Sequence, residues 1–135
     1  MFFNTWKKEV KLHCSPVAVK FRRHYERLFD EDIKSLRLKI LHPYSIGYIA
    51  GASISALPPE FAEQTKSISY ACSFTYRTAF GLADGTRCHN ALVTLFRNFD
   101  DEAENAMKLG GLDFHNWVDY GGDAFSEWYD FIRSI

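Results

Sequence analysis

Most of the residue patterns that advertise a chemistry are missing from this chain. There is no CxxC pair, no HExxH and no Cys/His spacing of a closed zinc site, so no metal is expected. There is also no GxSxG elbow, phosphate loop or GxGxxG fingerprint, which leaves no cofactor to expect and removes the usual signatures of serine hydrolases and nucleotide-dependent enzymes. Cysteine is sparse and odd in number, with Cys14, Cys72 and Cys88 far apart, which fits free thiols in a reducing compartment better than a disulfide framework. The start of the chain lacks the apolar stretch and small-residue cleavage site of a secretory signal, and the two observations together predict a cytoplasmic protein.

Long apolar runs are absent as well. The longest, Tyr44 to Leu57, is interrupted by serine and glycine, stops at Pro58-Pro59, and falls short of the ~20 residues a membrane span needs. It is expected as a buried helix, with no membrane contact. No linker or low-complexity tract divides the chain, and 135 residues is the ordinary size of one domain, so residues 1–135 are predicted to form a single globular unit.

What is abundant is aromatic surface and segregated charge. Twelve Phe, seven Tyr and three Trp are more rings than a core of this size easily hides on all sides. The net charge is only −1, yet residues 1–42 hold ten Lys/Arg against five Asp/Glu, while residues 99–135 hold two against nine. Either the two poles pair with each other, or one of them faces a charged partner, whose encounter it would steer.

The periodicity predicts a mostly α chain, a compact bundle of about six short helices. A short helix is expected from Asn4 to His13. Ser15-Pro16 reads as an N-cap and first helical residue, followed by Val17, Phe21, Tyr25 and Leu28 at helical spacing. Leu36-Arg-Leu-Lys-Ile alternates with period two, as a strand would. Gly47 and Gly51 lie one turn apart in the Tyr44 helix and give a smooth face that another backbone can approach. From Ile68 to Tyr76 a helical stripe competes with strict alternation, and helix is favoured. The alternative is an α+β fold, with a hairpin from about 68–80 and 88–97 turned at Asp84-Gly85. Asp100 caps an acidic helix expected to end at Gly110-Gly111, and Gly121-Gly122 separates the last two.

Two chemistries could draw on these elements. Cys88, beside Arg87 and His89, is the candidate nucleophile, but a cysteine among Ala, Leu and Val is usually a small buried hydrophobe, and no catalytic residue is assigned. Lys20, Arg22, Arg23 and Arg27, with Lys34, Arg37 and Lys39 beyond, could track phosphates. The near-neutral whole and the acidic pole would repel a long duplex, so nucleic acid is not an expected partner.

The last stretch carries the leading reading. Trp117, Tyr120 and Trp128 are interleaved with Asp119, Asp123, Glu127 and Asp130, an acidic, aromatic-rich segment of the kind that anchors protein contacts and selects a basic partner. The function expected is therefore a small non-catalytic protein-binding module that sequesters or inhibits a basic protein. The rival is a small-molecule-binding domain or enzyme with a pocket lined by Tyr44, Tyr48, Tyr70 and Tyr76 and served by Cys88 or His89. Opposite poles on two copies also make a homo-oligomer conceivable.

Overall fold

A computed structural model describes residues 5–135; residues 1–4, including the Asn4 start expected for the first helix, lie outside them. The described residues form eight helices and no strand: α1 (Thr5–Glu26), α2 (Ile33–Lys39), α3 (Pro43–Ser55), α4 (Pro59–Ala62), α5 (Thr65–Phe80), α6 (Leu82–Arg97), α7 (Asp101–Tyr120) and α8 (Ser126–Ser134). None is long and apolar enough to cross a membrane.

The bundle is built around α3. His42 caps it, its Nδ1 accepting the Tyr44 amide at 3.1 Å, and Pro43 supplies the pre-set first turn. Every residue from Ser45 to Ser53 is buried, as expected of a helix apolar on all sides. Its hydroxyls are satisfied locally or by neighbours: Ser53 donates to the Ile49 carbonyl at 2.8 Å, and Ser45 Oγ accepts the Trp128 indole N–H at 2.9 Å.

The glycine face of α3 meets α7, which runs in the same direction. A Cβ on Gly47 would stand 2.0 Å from the Ala103 carbonyl oxygen, and one on Gly51 would stand 1.9 Å from that of Met107. From the other side, a Cβ on Gly110 would come 2.0 Å from the Tyr48 carbonyl oxygen. The two backbones therefore touch directly, at a separation no side chain could share.

Several expectations are corrected, each for a physical reason. Ser15-Pro16 does not start a helix, because the inward stripe Val10, Cys14, Val17, Phe21 runs straight through it. Pro16 is exposed, so the Leu12 carbonyl it deprives of a partner can meet water, and Ser15 turns its hydroxyl to the Lys11 carbonyl at 2.6 Å. Leu36 and Ile40 are one helical turn apart and buried while Leu38 is exposed, so the period-two segment is α2, capped by Asp32.

The hairpin alternative fails because α5 buries Ala71, Cys72, Thr75, Tyr76 and Ala79 at helical spacing and leaves the alternating Ile68, Tyr70 and Phe74 only partly covered. Asp84-Gly85 is not a turn. The break falls at Gly81, whose φ of 92° suits glycine, and Gly85 lies inside α6, where a Cβ would meet the Arg77 Cα at 2.4 Å. Gly110-Gly111 likewise lies within α7, which ends at Gly121. The helices are thus more numerous than expected, and α1 and α7 are long, at 22 and 20 residues.

Candidate binding cleft between the last two helices

The C-terminal rings divide into anchors and cleft walls. Trp128 has no exposed surface; it packs edge-on to Phe21 at 5.5 Å between centroids and spends its N–H on Ser45. It seats α8 on the core and so cannot itself touch a partner. Phe125 is also buried, stacked on Phe21 at 4.5 Å, and it holds the left-handed conformation at φ 64°. A bulky residue there costs roughly 1–3 kcal/mol of backbone strain, which its ring contacts offset.

The loop before α8 is tied to α1 by His24. This buried ring receives the Arg27 guanidinium on Nδ1 at 3.2 Å, so Nε2 carries the proton and donates to the Ala124 carbonyl at 2.6 Å. Asp123 lies at the edge of this contact, 3.9 Å from Nε2. On the facing side, Tyr48 reaches out of the core to donate its hydroxyl to Asp113. Burial first, and then that bond to a carboxylate, push the Tyr48 phenol well above its usual range.

Between these fixed points, the end of α7 and the start of α8 enclose a cleft of about 290 Å³. Its walls include Trp117, Tyr120, Asp113, Asp123 and Glu127, and no Lys or Arg. Four of the seven residues singled out from the sequence, Trp117, Tyr120, Asp123 and Glu127, are therefore brought together. Asp119 and Asp130 are exposed on the flanking helices, and Trp128 lies behind the cleft in the core. Asp113 and Asn116 were missed. Asp113 stands four residues before Trp117 on one helical face, and that spacing was the available signal.

The two charge poles do meet, but largely through rings. The Arg27 guanidinium lies 4.3 Å from the Tyr129 centroid and the Lys20 ammonium 5.8 Å from that of Trp117. Among the described residues no Lys or Arg nitrogen comes within 4.0 Å of Asp113, Asp119, Asp123, Glu127 or Asp130. The C-terminal carboxylates are left unneutralised.

The groups of the rival reading are divided: Tyr44 and Tyr48 stack on each other at 5.8 Å, and the others lie elsewhere. Tyr76 donates to the Ile46 carbonyl in the core at 2.6 Å, and Tyr70 packs against Trp6 in a separate cluster. Burial, with Asp84 adding to it, pushes the Cys88 thiol up to about 12, which denies it the thiolate a nucleophile needs. His89 faces the Ser69 hydroxyl at 3.1 Å; burial and Arg77 lower its pKa. No group of three or more His, Cys, Asp or Glu side chains converges as metal ligands among the described residues. Comparison with protein-family models, curated proteins and solved structures finds no match to the chain.

Proposed function

We propose that the protein is a non-catalytic binding module that holds a basic protein partner through the cleft between α7 and α8. The supporting observation is the lining: carboxylates of Asp113, Asp123 and Glu127 beside the rings of Trp117 and Tyr120, with no Lys or Arg in the lining itself and Lys20 5.8 Å from the Trp117 centroid. A guanidinium or ammonium entering there gains both carboxylate and ring-face attraction. Tyr120 is 85% exposed, an amphipathic ring of the type enriched at contact hot spots. Asp119 and Asp130 on the flanks would raise the encounter rate of a basic partner more than its affinity.

The buried, free state of Cys14, Cys72 and Cys88 supports a reducing, cytoplasmic setting for this role. Affinity capture with mass spectrometry, comparing wild type with a Tyr120→Ala, Glu127→Lys double variant, tests the reading. Both positions are exposed, so the fold is retained. A basic protein recovered by the wild type and lost by the variant is expected; identical recovery by both would remove the cleft from the account.

A further inference from the structure

The cations of this chain are unequally occupied. Arg37 and Arg87 share Asp84, Lys39 holds Glu31, and Lys20, Arg27 and Arg133 lie on or beside rings of the C-terminal helices. Lys11, Arg22 and Arg77 have no carboxylate oxygen within 4.0 Å among the described residues, and all three line the seam between α1 and α5. Four of the seven cations of the stripe legible in the sequence, Lys20, Arg27, Arg37 and Lys39, are thus occupied, while Arg22 joins Lys11 and Arg77 in a set drawn from two helices.

These three cations sit in a groove. One cleft of about 430 Å³ is lined by Arg22, Tyr25, Glu26, Phe29 and Arg77, and a second of about 330 Å³ by Lys11, Tyr70, Phe74 and Arg77. The clefts share Arg77 and Thr78, so they join end to end. Lys11 and Arg22 are three helical turns apart on one face of α1, about 16 Å along its axis, with Arg77 of α5 at the junction. Rings stand at both ends: half-buried Tyr70 and Phe74 at one, and Phe29, 51% exposed, at the other, with buried Tyr25 packed against it. Glu26 is the one carboxylate in the lining.

At about 100° per residue, Lys11 and Arg22 project from the side of α1 opposite Lys20 and His24. Lys20 and His24 are the α1 residues that meet Trp117 and Asp123 of the acidic cleft, so the cleft and the groove lie to opposite sides of α1. A ligand in the groove does not confront the unneutralised carboxylates of α7 and α8, which is the repulsion that argues against a long duplex.

We propose that this groove binds single-stranded nucleic acid, with backbone phosphates at Lys11, Arg77 and Arg22 and unstacked bases laid on the flanking rings. A line of cations flanked by partly open rings is what a flexible strand exploits, since phosphates and base faces alternate along it. An acidic peptide would satisfy the cations but leave the rings unused.

Fluorescence anisotropy with a labelled oligothymidylate of about ten nucleotides, a length typical of one single-strand site, tests this. Wild type is expected to bind it, more weakly as salt rises, and to prefer it over a duplex of equal length. Arg77→Glu, an exposed change at the junction, should weaken binding at least tenfold, and Phe29→Ala severalfold, while Arg97→Glu, an exposed cation at the end of α6 outside the groove, should leave it unchanged. Circular dichroism melts confirm that each variant is folded. The proposal is overturned by absence of binding at low salt, by Arg97→Glu weakening binding as much as Arg77→Glu, or by polyglutamate of equal charge competing as well as the oligonucleotide.

Discussion

Gly110 and Gly111 are neighbours on α7, yet alanine should affect them oppositely. Alanine favours a helix over glycine by up to about 1 kcal/mol, so propensity alone predicts stabilisation at both. At Gly110 the new Cβ would lie 2.0 Å from the Tyr48 carbonyl oxygen, against an ordinary contact of 3.4 Å or more. The obstacle is backbone of the central helix, so α3 and α7 must separate by about 1.4 Å, and overpacking of this kind costs roughly 1–3 kcal/mol or more. At Gly111 the nearest atom is the Ser55 hydroxyl at 2.8 Å, the movable end of a half-buried side chain. Gly110→Ala is therefore expected to lose about 2 kcal/mol net, several degrees of Tm, and Gly111→Ala to be neutral or slightly stabilised. Urea unfolding of both variants measures the difference. Equal stabilities, or a more stable Gly110→Ala, would refute the direct backbone contact.

Other expectations follow from the core and its thiols. Trp128→Ala should cost about 3–5 kcal/mol in a denaturant midpoint assay, enough to unfold a marginal domain; Trp128→Phe should cost less, its main loss being the hydrogen bond left open at buried Ser45. Burial raises the Cys14 and Cys88 thiols from near 9.0 to about 12, so between those values the folded chain keeps protons that the unfolded chain has released. Stability should then fall as pH rises from about 9, by up to about 1.4 kcal/mol per pH unit for each such group, and Cys88→Ala should make the fall shallower in urea titrations. His24→Ala removes the tie to the Ala124 carbonyl, and amide hydrogen exchange should quicken at residues 121–126 while α5 and α6 stay protected.

The helical class was readable because inward residues recur every three or four positions through α1 and α5, and because the Tyr44 run is apolar on all sides. Element ends were harder to read, because glycine and proline were taken for punctuation that tertiary contacts overrule. Pro16 sits harmlessly on an exposed face, and Gly85 and Gly110 are glycine because backbone passes against them, whereas Gly81 and Gly121 carry the positive φ that breaks a helix. The alternation from Ile68 to Tyr76 misleads because the serines and threonine of α5 can turn inward; Thr75, for one, returns its hydroxyl to the Ala71 carbonyl at 3.0 Å.

Four walls of the acidic cleft were legible as acids and rings close in sequence. The burial of Trp128 was not, since only the packing of α8 on Phe21 and Ser45 decides which ring faces inward. Nor was the groove legible, because Arg77 lies far in sequence from Lys11 and Arg22.

The most direct measurement is a two-dimensional NMR titration of the folded protein with an arginine-rich peptide, read at the tryptophan indoles. The Trp117 indole and the amides of residues 113–127 should shift together and saturate, while the indoles of Trp128, enclosed in the core, and Trp6, in the separate cluster against Tyr70, stay in place. Unmoved Trp117 signals at saturating peptide, or shifts spread evenly over α5 and α6, would contradict the account.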